Sequence, residues 1–363
     1  MKQYFNKIHY PDKRSFKNII CESFLSIFSL PYYAGSSLRN FLYRVNYLKK
    51  TKLPAYVISI GNLTTGGTGK TPLTAEIAKY IRDKCHKKVA ILSRGYGGKL
   101  SVRDVNIISD GKNIYSTAHL AGDEPYWMAS NLDDIIVLTG KNRIDTGKYA
   151  IEKLGAEVLI LDDGFQHIKL ERDLNILVVD VNKKFGNRKM LPAGPLREPL
   201  SQIDRADKIV FVDKNGYSDN PENLAFIQDI KTKFNKPASI CRFKNGGLFN
   251  IVTSEEIDIS FKKIYAFAGI AQPDFFFNGL KQDGYNLVYT RIFTDHHLYA
   301  KEDLVNMMNE ALSVNADCLV TTEKDAVKLL AFIDTIEIKV PVYAQKVSLD
   351  VDIENIVGQD LLK

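Results

Sequence analysis

The sequence predicts an α/β fold: a mainly parallel sheet with helices on both faces, followed by a smaller α/β domain and preceded by a helical segment. Three observations lead there. Runs of β-branched and apolar residues alternate with helical periodicity, the pattern of parallel strands buried on both sides. One such run, AYVISIG (55–61), passes straight into a glycine-rich turn and then into a helix. After about residue 235 the alternation starts again. With 363 residues, 45% hydrophobic and 25% charged, the chain has the composition of a globular protein with room for two cores. The expected division is 1–52, 53–235 and 236–363.

The first segment is basic. Residues 1–52 contain ten Lys or Arg against Asp12 and Glu22, a surplus of +8. The whole chain carries +6, so the remainder sums to −2, which argues against a nucleic-acid or general polyanion binder. In FKNIICESFLSIFSL (16–30), Phe16, Ile19, Ile20, Phe24, Ile27 and Leu30 share one helical face, opposite a narrow polar stripe of Asn18, Glu22, Ser26 and Ser29. After Pro31 a second periodic stretch gathers Leu38, Phe41, Leu42, Val45 and Leu48, ringed by Arg39, Arg44, Lys49, Lys50 and Lys52. Two readings are open: helices packed on the protein's own core, or helices lying on a membrane with anionic lipids. The cationic surplus favours the second. The run is too short, and Glu22 too central, to be read as a membrane span, and it lacks the features of a signal peptide.

The remaining elements follow in order. After AYVISIG, residues 71–84 read as a helix through Leu73, Ile77, Ala78 and Ile81. Strands are expected at 88–92, 105–109, 134–139, 157–162, 175–181 and 208–213, with helices at 123–131 and 142–154. In the C-terminal domain, strands are expected at 263–270, 286–293, 318–322 and 340–345, and helices at 273–281, 301–313 and 352–362. Residues 214–260, with Gly216, Pro221, Pro237, Gly246 and Gly247, read as the boundary. Cys21, Cys85, Cys241 and Cys318 share no metal or disulfide spacing and are expected to be reduced thiols of a cytosolic compartment.

GNLTTGGTGKTP (61–72) has the form of a phosphate-binding loop, which makes the expected fold P-loop NTPase-like. Thr64 stands where the usual pattern has its first glycine, but at the loop's entrance and not at its phosphate-contacting end. Thr64, Thr65, Gly66, Gly67, Thr68, Gly69, Lys70 and Thr71 are the candidate nucleotide-binding residues. Backbone N–H groups and the helix N-terminus would wrap the phosphates of ATP, with Lys70 on the β- and γ-phosphates and the Thr71 hydroxyl on Mg²⁺. VLILDDG (158–164) supplies a second element: Asp162 or Asp163, at the end of an apolar strand, is suited to hold Mg²⁺. An isolated acid pair after a strand would otherwise be a solvated turn.

Other polar motifs lie in loops: LSRGYGG (92–98) with Arg94 and Tyr96, AGDEP (121–125) with Asp123 and Glu124, and GFQH (164–167) with His167. LPAGPLREP (191–199) holds Arg197, and TDHH (294–297) holds Asp295 and His296. Singly, each has a structural reading as a helix start, a surface ion pair or a capped turn. TEKD (322–325) only loosely resembles the guanine-reading motif of a GTPase. An ATP-driven switch that recruits partners to membranes would share the loop. A DHH-type phosphoesterase would need further Asp and His clusters.

Taken together with TTEKDAVK (321–328), these motifs resemble the tetraacyldisaccharide 4'-kinase family, from the N-terminal helix to about Lys328. Threonine at the Thr64 position is ordinary in that family. The resemblance implies transfer of the γ-phosphate of ATP to the 4'-hydroxyl of an acylated glucosamine disaccharide 1-phosphate, giving lipid IVA in lipid A biosynthesis. It implies a peripheral or monotopic protein on the cytoplasmic face of the inner membrane, with no protein partner. It further implies Asp123 as the catalytic base, His296 paired with it across a domain cleft, and Asp295 orienting the imidazole. Glu124, Asp162, Asp163 and Thr71 would share the Mg²⁺, and Arg94, Tyr96, His167 and Arg197 are candidates for substrate or transition-state contacts.

Overall fold

The computed structural model describes residues 8–10, 16–101, 104–214, 216–259, 262–270 and 273–358. Part of the basic segment (1–7 and 11–15) and residues 359–362 of the last expected helix lie outside them. In chain order the elements are α1 (Phe16–Arg44), β1 (Tyr56–Gly61), α2 (Lys70–Lys84), β2 (Val89–Ser93), β3 (Asn106–Asp110), α3 (Ala118–Ala121), α4 (Asp123–Asn131), β4 (Ile136–Thr139), α5 (Arg143–Leu154), β5 (Val158–Asp162), β6 (Leu174–Asp180) and β7 (Lys208–Asp213). They continue with α6 (Pro221–Phe234), β8 (Ala238–Asn250), β9 (Glu256–Ile257), β10 (Lys263–Ala268), α7 (Pro273–Gln282), β11 (Asn286–Ile292), α8 (Lys301–Ser313), β12 (Cys318–Thr322), α9 (Glu323–Leu329), β13 (Val342–Asp350) and α10 (Ile353–Val357).

Two compact units form: one from 1–92, 142–242 and 351–363, the other from 93–141 and 243–350. This differs from the contiguous division read from the sequence, since 93–141 groups with the C-terminal half. Periodicity reports which face of a segment is apolar, not which distant segment covers it. The expected boundary region is also largely regular. Asn220 caps α6 by accepting from the Glu222 N–H, with Pro221 at its first position, where proline's missing donor costs nothing.

In the first unit β2, β5, β1, β6, β7 and the start of β8 pair in that order, all parallel. The side chains of β1, β2, β5, β6 and β7 are almost wholly buried, as strands covered on both faces must be. The register puts Ile60 of β1 beside Asp162 of β5, so the loop after β1 and the acids after β5 leave the sheet side by side. A core of Leu63, Phe165, Leu177, Phe185, Phe211 and Phe226 packs below.

The second unit carries a parallel sheet ordered β11, β10, β12, β13. Alternation along β10 sends Tyr265 and Phe267 to one core with Leu304 and Met307 of α8, and Ile264 and Ala266 to another with Phe276 and Leu280 of α7. Helices therefore cover both faces. β3 with β4 and β8 with β9 are antiparallel pairs.

α1 corrects one expectation. It is a single helix running through Pro31, where two were read. Proline removes one backbone bond, and the helix holds because its polar stripe is docked on either side of that point. Ser29 Oγ donates to Met190 O at 2.9 Å, Glu22 pairs with Lys189 at 3.0 Å, and Arg39 and Asn40 bond Glu198 at 2.6 and 3.0 Å. The usual burial is inverted. Glu22 is 6% exposed while Phe16 is 77%, Ile27 62% and Leu30 67% exposed.

Candidate active site

The phosphate loop is built in the first unit. β1 ends at Gly61, where a Cβ would lie 2.6 Å from the Phe165 amide nitrogen, so only glycine lets the 164–165 turn close over the strand end. Thr64 then forms an antiparallel bridge with Leu196, and the Thr65 amide donates to Pro195 O at 2.8 Å. The residue where glycine was expected is thus paired and buried, in a place that asks for no glycine. The turn comes later, at Gly66 (φ 104°) and Gly69 (φ 89°), conformations that favour glycine. Gly69 precedes α2 with no side chain capping that helix, so its leading N–H groups are not taken by a side-chain cap. Thr68 Oγ1 is buried with no hydrogen-bond partner, and Thr71 is half-buried in the first turn of α2.

Lys70 Nζ lies 3.3 Å from Asn62 Oδ1 and 3.5 Å from Asp163 Oδ1. Asp163 Oδ2 accepts from Arg197 Nη1 at 2.8 Å, and Arg197 also reaches Gln166 Oε1 at 3.4 Å. Burial pushes the Asp163 carboxyl up, but the cations of Lys70 and Arg197 outweigh it and hold it at about 2. Arg197 owes its place to its own amide, which donates to Leu63 O at 2.7 Å and zips the proline-stiffened loop to the phosphate loop's entrance. Asp162 Oδ1 accepts from Thr74 of α2 at 3.2 Å. His167 is half-buried, its Nε2 without a hydrogen-bond partner. Burial first, then Arg143 and Arg172, lowers it to about 4, so it is neutral at pH 7.

These residues fit a nucleoside triphosphate with a divalent ion. The uncapped helix start, the unpartnered Thr68 hydroxyl and Lys70 form an anion cradle, and Asp163 Oδ1 is a buried acceptor without a hydrogen bond. Among the described residues, however, no three acidic, imidazole or thiol groups gather as a metal cluster.

The second unit holds a different constellation. Glycines pack the LSRGYGG loop against the turn before α4. A Cβ on Gly98 would meet Leu120 O at 2.4 Å, and Gly122 adopts φ 92° with its Cβ direction 2.6 Å from Tyr96 O. This close contact sets Asp123, 6% exposed, at the start of α4. His296 Nδ1 lies 2.9 Å from Asp123 Oδ2, and Lys328 Nζ lies 3.1 Å from the same oxygen. Burial raises the Asp123 carboxyl, and His296 and Lys328 more than offset it, leaving it below the ordinary range. Glu124 faces Lys324 at 3.4 Å. Arg94 is exposed and Tyr96 is 80% exposed.

Two sequence readings need correction. Asp123 and His296 do not lie in different domains awaiting closure; they sit in one compact unit and already share a hydrogen bond. Asp295 Oδ1 is 3.9 Å from His296 Nε2, beyond hydrogen-bond range, so the imidazole is oriented by Asp123 instead. Sequence reasoning singled out neither Asn62, Gln166 and Glu198 in the first unit nor Asp325 and Lys328 in the second. All five lie within the quoted motifs, which was the available signal.

A loop of this form at the tip of a parallel strand, with an acid at the tip of the neighbouring strand, defines a P-loop nucleotide-binding protein, here with an aspartate–histidine pair able to move a proton. The chain belongs to the family described as Tetraacyldisaccharide-1-P 4'-kinase, which residues 21–363 match. It is similar to the tetraacyldisaccharide 4'-kinase of Desulfotalea psychrophila, 40% identical over 316 residues, covering 86% of this chain and 89% of that one. The same-named protein of Pelobacter propionicus is 40% identical over 318 residues, covering 88% and 86%. Among solved structures it is similar to LpxK from Aquifex aeolicus in complex with ATP, with a TM-score of 0.74 and 33% identity over 94% of this chain and 98% of that one.

Proposed function

We propose that this protein transfers the γ-phosphoryl group of ATP to the 4'-hydroxyl of an acylated glucosamine disaccharide 1-phosphate, the lipid A precursor. The observation that carries this reading is the position of Lys70, held at the phosphate loop by Asn62 and Asp163. When bound, MgATP supplies the phosphoryl group and the metal that neutralises its oxygens. Lys70 and the amides of Gly66 to Thr71 would bind the phosphates, and Thr71, Asp162 and Asp163 of the first unit are the candidate metal ligands. Arg197 is held by Asp163 and Gln166 as a second cation of the loop.

Asp123 accepts the proton of the attacking hydroxyl. Its Oδ2 is occupied by His296 and Lys328, and Oδ1 is the oxygen left to do so. A weak carboxylate base suits phosphoryl transfer, where the bond to the nucleophile forms late and positioning outweighs basicity. Arg94 and Tyr96, exposed beside the Asp123 turn, are candidates for substrate contacts.

The acyl chains of such a substrate sit in a bilayer, and α1 offers the surface to reach them. Its apolar face is exposed, with Arg44, Lys49, Lys50 and Lys52 close behind. No helix among the described residues is long and apolar enough to cross a membrane. An interfacial seat on the cytoplasmic face of the inner membrane fits that geometry.

The test is label transfer from γ-labelled ATP to the lipid disaccharide. Labelled lipid from the wild type and none from Lys70→Ala supports the kinase. Slow hydrolysis that ignores the lipid would favour the membrane-recruiting switch. Asp123→Ala should lower kcat by about 10²–10⁴-fold while the KM for ATP stays within a few-fold.

A further inference from the structure

The motif TTEKDAVK (321–328) supplies the Lys328 ammonium that meets Asp123, and its other polar groups form a closely bonded cluster in the second unit. β12 ends at Thr322, whose Oγ1 caps α9 by accepting from the Asp325 amide at 3.2 Å. Asp325 is fully buried. Its Oδ2 accepts from the Gly269 amide at 2.9 Å and from Thr322 Oγ1 at 2.9 Å. A Cβ at Gly269 would lie 3.0 Å from Tyr299 Oη and 3.1 Å from Asp325 Oδ1, so glycine keeps that approach open.

Asp325 Oδ1 faces Lys328 Nζ at 3.1 Å, one turn along α9. The Lys328 side chain is 3% exposed, and its ammonium also lies 5.7 Å above the Tyr299 ring. Nζ then meets Asp123 Oδ2 at 3.1 Å, the oxygen that His296 Nδ1 approaches at 2.9 Å. A row of polar groups thus runs from the Gly269 amide through Asp325 and Lys328 to Asp123 and His296.

A buried ion pair is by itself weak evidence of a stabilising role, since apolar residues of similar size often do as well. What the row does is geometric. A carboxylate rotates about a broad, two-fold torsion and can present either oxygen. An ammonium fixed on one side and an imidazole on the other hold Oδ2 between them.

We propose that Lys328, anchored by Asp325, is a positioning residue for phosphoryl transfer, clamping Oδ2 of Asp123 so that Oδ1 is presented to the attacking hydroxyl. The proposal rests on the reading of Asp123 as base.

The experiment uses the full chain with saturating MgATP and lipid disaccharide, comparing Lys328→Met, Lys328→Arg and Asp325→Asn with Asp123→Asn. Lys328→Met should lower kcat by about 10²-fold, the scale of a misplacement near 1 Å, with the KM for ATP within about threefold. Lys328→Arg should recover at least about tenfold of that loss, because it restores the charge. In the Asp123→Asn background, Lys328→Met should add less than about threefold, because it acts through Asp123. A crystal structure of Lys328→Met should show the Asp123 carboxylate turned away from His296.

Wild-type kcat in Lys328→Met, a full additive loss in the double variant, or an unmoved carboxylate would overturn the proposal. Should Lys328→Met fail to fold, Asp325→Asn decides: a reduced kcat at unchanged ATP KM supports the clamp, and wild-type kcat overturns it. Wild-type kcat in Asp123→Asn itself would instead remove the base assignment, a separate failure.

Discussion

His167 and Asp163 show how one loop sets opposite charge states. The half-buried imidazole is held at about 4, below its unfolded value, so the unfolded chain binds the extra proton as pH falls. Its contribution is present above about pH 6.5 and is lost as pH falls toward 4, by on the order of 2 kcal/mol. Asp163, depressed to about 2, loses its contribution in a separate window, between about pH 4 and 2. Urea titrations across pH should show the upper slope reduced in His167→Gln, with the share of His9, which burial also lowers, and the lower slope remaining. At this scale much was legible. Lys70, Thr71 and Asp163 follow from a local pattern whose chemistry is carried by a few consecutive residues. The partners of Asp163 were not, because Arg197 reaches it from a loop 34 residues on.

At the scale of elements, α1 and its socket are the informative pair. Glu198 has a fully buried side chain that receives Arg39 and Asn40 of α1, Arg205 and Gln166. Removing it strands cations against a buried site, so Glu198→Ala should cost about 3 kcal/mol in chemical denaturation. The outward face behaves differently. Phe24 and Ile27 are more than half exposed, so Phe24→Glu with Ile27→Glu should leave Tm unchanged. The same change should weaken binding to vesicles of anionic lipid at least about tenfold in a flotation assay. The periodicity of residues 16–30 revealed two faces but not which one the protein keeps. Hydrophobicity normally decides that, and here docked polar side chains do.

For the whole molecule, the candidate nucleotide-binding elements fall in the unit formed by 1–92, 142–242 and 351–363. Ligand that binds only the folded state stabilises it by mass action, so MgATP at a hundred times its Kd should add about 2.7 kcal/mol, and Lys70→Ala should abolish the gain. Hydrogen exchange should show that protection concentrated at 61–71 and 158–164. The sequence by itself determined the alternating strands, the phosphate-loop pattern and the motifs that mark the kinase family. Each depends on backbone and side chains within one short stretch. Only the tertiary structure decided that 93–141 joins the C-terminal half, and so puts Asp123 and His296 in one unit, that α1 turns its apolar face outward, and that Lys328 joins His296 on Asp123. Those outcomes depend on contacts between segments far apart in the chain, 173 residues in the case of Asp123 and His296, and no local pattern encodes which of many compatible surfaces will meet.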